Sequence, residues 1–197
     1  MGGAPLTDQA FDTIFRKART ANGWLDKHVS DELLQKIHDD MKFGPTSANS
    51  CPLRIVFLKT KEAKERLKPF MIESNVSKVM TSPVTAIFAW DTEFYDKLPK
   101  LFPHVDARAW FVGNDQMIYD GAFRNSSLQA AYFIIAARAH GLDCGPMSGY
   151  DRAKTDAEFF PDGKFKSNFI CALGYGDDTK VFPRSPRFTF DDVCKIL

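Results

Sequence analysis

The sequence predicts a single α+β domain, in which helices and strands are mixed without the regular alternation of a doubly wound sheet. Three observations support this prediction. The chain has 197 residues, of which 44% are hydrophobic, so it can bury a sizeable core. Helix-like apolar patterns and shorter strand-like runs follow one another in irregular order. No repeat, low-complexity tract or linker interrupts them, so residues 1 to 197 should form one unit.

Two helices are predicted at the start of the chain. Thr7 or Asp8 can cap the first helix, which carries apolar residues at helical spacing and should end near Asn22 and Gly23. Ser30 can cap the second helix, because two acidic residues follow it and later apolar residues line one face. A glycine and a proline should end this second helix.

The stretch from residue 44 to residue 52 is small and polar, and it lies between two apolar segments. Its two prolines fix their own φ and bias the preceding residues away from helix. Short donors and acceptors are crowded between the prolines, namely Thr46, Ser47, Asn49 and Ser50. We expect a fixed loop that can surround a polar ligand. The alternative is a capped helix end followed by an ordinary turn.

Short strands and short helices are predicted in the middle of the chain. Apolar runs predict two buried strands, residues 55 to 58 and residues 84 to 90. Between them we expect a charged, exposed helix over Lys61–Leu67 and a second short helix over residues 74 to 80. On that second helix Asn75 and Lys78 are three residues apart, so they share a face.

Residues 91 to 112 are predicted to be the least regular part of the chain. They are rich in aromatic residues, proline and charge, which is typical of a lid or of a partner-facing excursion. The longest helical pattern follows, over residues 120 to 140. Its serine and alanine residues allow neighbouring backbones to approach closely, so we expect a central, largely buried helix that ends at Gly141.

The last part of the chain is predicted to contain one strand and two short helices. Residues 145 to 149 should form a second tight loop, after which Asp151 can cap a helix. Residues 169 to 173 read as the third strand. A polar connection over residues 174 to 187 then leads to a final helix capped by Thr189.

Charge and hydropathy exclude several classes of function. The net charge is +1 and the basic residues are dispersed, so the basic surface that nucleic acid requires is not expected. Residues 1 to 12 lack a cationic region followed by an apolar run, and no apolar stretch is long enough to span a bilayer. We therefore expect a cytoplasmic protein that binds neither nucleic acid nor membrane.

The four cysteines and four histidines are widely scattered. No C-x-x-C or H-E-x-x-H motif is present, so we expect reduced thiols and no bound metal. Cys51 or Cys144 remains a candidate nucleophile, as in a cysteine hydrolase, because a catalytic histidine can lie far away in sequence. The commoner role of a free cysteine is that of a small buried residue.

Several polar groups lie at predicted loops and helix ends. They are Arg19, Thr20, Asn49, Asn75, Lys78, Ser148, Gly149, Arg184 and Arg187. Together they provide cations for a phosphate, amides and hydroxyls for the polar edge of a ring, and backbone donors for a ring nitrogen. These are the needs of a phosphorylated heteroaromatic cofactor. A Rossmann site is not expected, because no G-x-G-x-x-G follows a strand.

These residues resemble the nitroreductase-like family of FMN enzymes, over essentially the whole chain. Residues 45 to 52 are similar to the family's Pro-Ser-Ser-x-Asn-x-Gln-Pro signature, and Asn75 with Lys78 to its Asn-x-x-Lys pair. Ser148-Gly149 matches the turn near flavin N5, and Arg187 matches the C-terminal phosphate-binding arginine. The resemblance implies a mainly antiparallel central sheet surrounded by helices, in an intertwined homodimer with FMN between the subunits.

The resemblance also implies the cofactors and the site. FMN would be bound, NADH or NADPH would be the co-substrate, and hydride would pass through flavin N5. Ser148, Gly149 and Lys78 would be catalytic. FMN would be held by Arg19, Thr20, Asn22, Pro45, Thr46, Ser47, Asn49, Asn75, Lys78, Ser148, Gly149, Arg184 and Arg187. The loop with Asn49 would reach a flavin held largely by the other subunit.

The sequence departs from the family pattern in two motifs. The family's N-terminal Arg-x-Ser-x-Lys/Arg reads Ala18, Thr20 and Asn22 here, with Arg19 one residue out of step. Cys51 stands where the family has glutamine, and its expected role is packing rather than redox chemistry.

The resemblance is strongest to the malonic semialdehyde reductase subgroup of the Rut pyrimidine-degradation pathway. The similar stretches are residues 90 to 104, 106 to 108, 123 to 127 and 145 to 149. This implies reduction of malonic semialdehyde to 3-hydroxypropionate, with Arg108 or Arg124 on the substrate carboxylate. A surface or interhelix ion pair is the alternative role for either arginine. The alternative functions are a broad nitroaromatic or quinone reductase and a flavin-binding protein without turnover.

Overall fold

The structure, a computed structural model, describes residues 3 to 197. Met1 and Gly2, which the predicted single domain includes, lie outside the described residues. The strands within this range are β1 (Leu53–Leu58), β2 (Val84–Asp91), β3 (Asp143–Met147) and β4 (Phe165–Gly174). The helices are α1 (Asp8–Phe11), α2 (Asp31–Met41), α3 (Lys61–Leu67), α4 (Glu73–Thr81), α5 (Leu98–Leu101), α6 (Asp115–Ala139), α7 (Arg152–Phe159) and α8 (Phe190–Val193).

The four strands form one antiparallel sheet in the order β1-β2-β4-β3. Leu53 is paired with Trp90 between β1 and β2, and Met147 with Ile170 between β3 and β4. The α+β fold with an antiparallel sheet is therefore confirmed. Since β1 and β3 are the outer strands, each has one edge that no named strand covers.

Helices cover both faces of the sheet, which explains why β2 is apolar almost throughout. Every residue of β2 is buried. Alternate residues point to opposite faces, so Phe88 packs in one cluster with α2 and α6, and Ile87 packs in another with α3 and α4. The rings of Phe88 and Phe133 are 5.2 Å apart in an edge-to-face arrangement. This contact ties the middle of α6 to the centre of the sheet.

Most predicted helix starts are present with the expected caps. Ser30 Oγ accepts a hydrogen bond of 3.2 Å from the Leu33 amide, and Asp151 Oδ1 accepts one of 3.1 Å from Lys154. The long helix α6 begins at Asp115 rather than at residue 120, because the Asn114 side chain caps it. Among residues 3 to 197, no helix has both the length and the apolar character needed to cross a bilayer.

The first helical segment ends earlier than predicted. After α1 the chain forms one wider turn over Asp12–Arg16 and then becomes extended. Thr20 forms a parallel bridge with Cys144 of β3, and the Ala21 amide donates to the Cys144 carbonyl at 3.0 Å. This pairing satisfies backbone groups that a longer helix would have used, so the sheet edge determines the conformation here.

Two segments predicted as irregular are more ordered in the structure. Residues 145 to 147, expected in a tight loop, belong to β3. Pro146 is compatible with a strand there, because β3 lies at the edge of the sheet. The excursion over residues 91 to 112 contains α5 and two short helical turns, which enclose an apolar cluster that includes Phe94, Leu98 and Phe111.

Candidate functional site

The residues predicted to bind the cofactor fall into two groups at opposite edges of the sheet. The β3-edge group consists of Arg19, Thr20, Asn22, Asn75, Lys78, Ser148, Gly149, Arg184 and Arg187. The β1-edge group consists of Pro45, Thr46, Ser47 and Asn49, in the loop that leads into β1. The two edges are three strand spacings apart, or about 14 Å. A single chain therefore does not bring all these residues to one place.

The Ser148-Gly149 turn lies directly against α4. Asn75 Nδ2 donates to the Gly149 carbonyl at 3.4 Å, and the Ile72 amide donates to the same oxygen at 3.1 Å. A Cβ on Gly149 would lie only 2.9 Å from Asn75 Nδ2 and would also meet the Ile72 side chain. Within residues 3 to 197, neither the Ser148 amide nor the Gly149 amide donates a hydrogen bond. The glycine thus permits a close approach and leaves two donors available.

Lys78 lies one turn further along α4, beside Gly145 of β3. Its Cδ is 3.1 Å from the position that a Cβ on Gly145 would occupy. The side chain is partly buried, and this burial lowers the pKa of Lys78. No carboxylate among residues 3 to 197 affects that pKa. Lys78 is therefore a desolvated cation whose charged form an anionic ligand would stabilise.

Arginines from three parts of the chain line a cavity of about 380 Å³, which we call the arginine pocket. The four are Arg19, Arg138, Arg184 and Arg187. Arg19 donates to the Phe182 carbonyl, and Arg184 Nη2 donates to the carbonyls of Arg16 at 2.8 Å and Ala18 at 3.2 Å. Arg187 Nη1 donates to two carbonyls of its own segment at 3.0 Å each. The bonds of Arg19 and Arg184 hold the N-terminal and C-terminal segments together.

The arginine pocket has a large uncompensated positive charge. The ion pairs that arginines make within residues 3 to 197 involve Arg16, Arg54, Arg66 and Arg108, and none of the four pocket arginines. Guanidinium groups bind phosphate oxygens through strong, directional hydrogen bonds. Four such groups without a carboxylate partner could bind a multiply charged anion, and three of them, Arg19, Arg184 and Arg187, are residues for which the sequence predicts this role.

Arg138 was not predicted as a site residue. In the sequence it is a cation near the end of a long helix, where the helix dipole alone accounts for it. Only the packing of α6 against the N-terminal segment places it in the arginine pocket, since Arg138 Nη1 donates to the Ile14 carbonyl at 3.1 Å. No local sequence signal reports this contact.

The elements of the β3-edge group follow β3 in order. The arginine pocket lies near Thr20, which pairs with Cys144; Lys78 lies beside Gly145; and Asn75 contacts Gly149. An extended backbone from residue 144 to residue 149 spans about 17 Å. This row suits an elongated ligand that has an anionic group at one end and a polar planar group at the other.

The loop of the β1-edge group is a strained structure. Ala48, Asn49 and Cys51 have positive φ values of 50°, 49° and 42°. Residues other than glycine adopt this region at a cost of about 1 kcal/mol or more each. The Ser47 amide donates to Asn125 Oδ1 of α6 at 2.8 Å, and Asn49 Nδ2 donates to the Leu101 carbonyl at 2.8 Å. These bonds hold the loop against the rest of the chain.

Cys51 takes part in closing this loop. Its amide donates to Thr46 Oγ1 at 3.2 Å, and its thiol donates to Asn49 Oδ1 at 3.4 Å. Cys51, which departs from the family signature, therefore stabilises the conformation of this loop. Cys144, the other candidate nucleophile, is fully buried in β3 and therefore inaccessible to a substrate.

Comparison with known proteins identifies the family. A model described as "Nitroreductase family" matches residues 16–175 of the chain. The chain belongs to the nitroreductase family.

Two relatives match this chain over nearly its whole length and have nitroreductase names. A protein of Burkholderia lata is 58% identical to this chain over 191 residues, which cover 97% of this chain and 98% of the relative. The provisional name of that relative is NADH dehydrogenase/NAD(P)H nitroreductase. A protein of Ralstonia nicotianae with the same provisional name is 55% identical over 192 residues, and 98% of each chain is covered. A solved structure from Exiguobacterium sibiricum, provisionally named a nitroreductase, is in complex with FMN. It has a TM-score of 0.85 to this chain at 20% identity, and both chains are fully covered.

The two arginines considered for the substrate have different surroundings in this chain. Arg108 Nε is 2.7 Å from Asp96 Oδ1, in an exposed ion pair on the excursion. Arg124 lines a cavity of about 330 Å³ together with Ser47 and Asn125, next to the β1-edge loop. The alternative role, a surface ion pair, therefore describes Arg108, whereas Arg124 remains available to a ligand. The described residues contain no cluster of three or more histidine, cysteine or acidic side chains that could hold a metal.

Proposed function

We propose that this nitroreductase-family chain is an FMN-dependent NAD(P)H oxidoreductase. The observation that carries the proposal is the order of groups along β3: an uncompensated arginine pocket, then Lys78, then a glycine turn with two available amides. FMN has this shape, with a phosphate at one end and a polar ring at the other. The names of the relatives and the FMN in the Exiguobacterium protein support the same proposal.

Each residue of the row has a definite task in this proposal. Bound FMN supplies hydride chemistry between NADH or NADPH and an acceptor, and the protein binds and orients it. Arg19, Arg184 and Arg187 neutralise the phosphate. The Ser148 and Gly149 amides donate to the ring nitrogen, and Asn75 binds the polar edge. Negative charge on the bound cofactor would favour the protonated form of Lys78 and offset the burial that lowers its pKa.

The position of the two groups supports a homodimer. The β1-edge loop is about 14 Å from the β3-edge group across the sheet, so both complete one site only if they come from different subunits. The C-terminal arm, residues 181 to 197, exposes six large apolar side chains, including Phe188 at 81% and Ile196 at 85%. A groove of about 790 Å³ between α2 and the free edge of β1 offers an apolar surface that such an arm would cover.

For the substrate, we propose malonic semialdehyde, which this enzyme would reduce to 3-hydroxypropionate. Arg124 supports a small carboxylate substrate, because it lines a cavity beside the β1-edge loop that would complete the site. A broad nitroaromatic or quinone reductase is the alternative. Such acceptors stack on the ring and require no cation, so Arg124 distinguishes the two functions.

The test begins with the purified protein and its visible flavin spectrum. Stopped-flow mixing with NADH and with NADPH should bleach the oxidised flavin band. A protein that binds FMN without bleaching at millimolar nicotinamide would instead be a flavin-binding protein without turnover. Reoxidation by malonic semialdehyde and by a neutral quinone then compares the two acceptors.

The substrate assignment has a matched pair of variants. Arg124→Ala should raise the KM for malonic semialdehyde about tenfold or more, in line with a lost charge-assisted hydrogen bond, and leave the KM for the quinone unchanged. Arg66→Ala removes an exposed arginine that pairs with Glu158 and should change neither value. Equal effects of Arg124→Ala on both acceptors would refute its role as a carboxylate ligand.

A further inference from the structure

We propose that Arg138 of α6 is a fourth ligand of the cofactor phosphate, and that it makes the arginine pocket strongly selective for FMN over riboflavin. The inference rests on the proposed function, because it assigns a residue to the phosphate end of the same site. Neither the family resemblance nor the sequence pattern points to this residue, which enters the pocket through tertiary packing alone.

The position of the Arg138 side chain supports this role. Arg138 lines the same 380 Å³ cavity as Arg19, Arg184 and Arg187. The other three come from the N-terminal segment and the C-terminal arm, whereas Arg138 comes from a helix of 25 residues that packs on the sheet. It is therefore the pocket cation with the most rigid support, which reduces the entropy lost when an anion is bound.

Arg138 also has an unsatisfied hydrogen-bond donor. Arg138 Nη1 donates to the Ile14 carbonyl at 3.1 Å, but Arg138 Nε is buried and has no hydrogen-bond partner among residues 3 to 197. Buried polar groups of folded proteins almost always have partners, and a charged group without one is costly. If the side chain turned toward the pocket, a phosphate oxygen would accept this hydrogen bond.

The charge of the arginine pocket matches that of a phosphate monoester. A phosphate monoester carries between one and two negative charges at neutral pH and has three acceptor oxygens. The pocket has four guanidinium groups, and their hydrogen bonds within residues 3 to 197 go to backbone carbonyls, not to carboxylates. Riboflavin lacks the phosphate, so it gains nothing from these charges. The ratio of the dissociation constants for riboflavin and FMN therefore measures how much the arginine pocket contributes to binding.

The competing role for Arg138 is purely structural, because it also binds Ile14. Arg138→Gln distinguishes the two roles, since glutamine keeps a donor for the Ile14 carbonyl but removes the charge. The dissociation constants of the flavin-free protein for FMN and for riboflavin are measured by flavin fluorescence. We expect FMN to bind roughly 10- to 100-fold more weakly to the variant, as for one charge-assisted hydrogen bond, and riboflavin to bind within twofold of wild type.

Controls separate the possible outcomes. Arg66→Gln, at an exposed ion pair with Glu158, should leave both constants unchanged. Equal weakening of FMN and riboflavin by Arg138→Gln would assign Arg138 a structural role, and no change in either would place it outside the phosphate site. If Arg138→Gln does not fold, Arg138→Lys retains the charge, loses the Nε donor, and should still weaken FMN more than riboflavin.

A second readout keeps this inference distinct from the proposed function. Inorganic phosphate, compared with chloride at equal ionic strength, should raise the Tm of the flavin-free wild type and raise it less in Arg138→Gln. A wild type that gains stability from phosphate but binds no flavin would refute the FMN proposal and leave the phosphate site standing. Equal stabilisation of both proteins by phosphate would overturn the assignment of Arg138.

Discussion

Gly145 is the point at which three parts of the candidate site meet, so Gly145→Ala is a sharp perturbation. A Cβ at this position would lie 2.7 Å from the Ala21 carbonyl oxygen, 3.1 Å from Lys78 Cδ and 3.5 Å from Trp24 Cζ2. The first distance is too short for any side-chain carbon, and the obstacle is backbone. The N-terminal segment must therefore move away from β3, while Lys78 must shift by a few tenths of an ångström.

The size of the effect follows from the contacts that are lost. The segment is held to β3 by the hydrogen bond of 3.0 Å from the Ala21 amide to the Cys144 carbonyl. Losing it costs about 1 kcal/mol. Overpacking a closely fitted site costs about 2 kcal/mol, and replacing glycine in a strand returns about 0.5 kcal/mol. The net loss of unfolding free energy is about 2.5 kcal/mol, which lowers the Tm by roughly 5 to 10 °C in a domain of this size.

Thermal and urea unfolding measure the stability of Gly145→Ala, and a flavin titration measures its affinity for FMN. We expect both to fall, because the displaced segment carries Arg19 and Thr20 and the displaced lysine is the proposed ring ligand. Gly113→Ala is the matched control: Gly113 has a φ of 79° with no atom near its added Cβ, so it should cost about 1 kcal/mol of strain and leave FMN affinity intact. A Gly145→Ala protein with wild-type Tm and wild-type FMN affinity would refute this reasoning.

Four further predictions concern single features of the chain. Arg187→Ala should weaken FMN binding by about 1.5 to 3 kcal/mol, and unchanged affinity would exclude Arg187 from the phosphate site. Deleting residues 188 to 197 should give a monomer in sedimentation that no longer retains FMN; a dimer that still retains flavin would contradict the role of the arm. Ser30→Ala should reduce the free energy of unfolding by about 1 kcal/mol through the lost cap of α2, whereas Ser30→Asp should retain most of it. Burial lowers the pKa of Lys64, which donates to the Ser82 carbonyl. The folded chain then releases this proton below the ordinary value of 10.5, so unfolding free energy should rise with pH between the lowered pKa and 10.5. In Lys64→Met that rise should be smaller, and identical slopes would argue against the buried lysine as its source.

Local chemistry allowed much of the fold to be predicted from the sequence. Ser30, Asp151 and Thr189 cap the helices that they were expected to cap, because a side-chain oxygen satisfies amides only three residues away. The apolar run of β2 predicted a strand covered on both faces, and all of its residues are buried. The membership of the nitroreductase family was also predicted from short motifs and is confirmed.

Two of the wrong predictions involve the edge of the sheet. Residues 20 and 21 were expected to lie in a helix, and residues 145 to 147 in a loop, but Thr20 and Ala21 pair with Cys144 of β3, the strand to which residues 145 to 147 also belong. Pairing between them satisfies backbone hydrogen bonds over more than one hundred residues of sequence separation. Helix periodicity and turn composition are local signals, so they contain no information about such a partner.

The sequence by itself determined which residue types the candidate site contains: cations, an Asn-x-x-Lys pair, a serine-glycine turn and a polar proline-bounded loop. Only the tertiary structure decided how they are grouped. It brought Arg138 into the arginine pocket, paired Arg108 with Asp96, and separated the loop with Asn49 from the other predicted ligands by the width of the sheet. The physical reason is that residue chemistry is encoded locally, whereas distance depends on strand order and helix packing, which the whole chain fixes together.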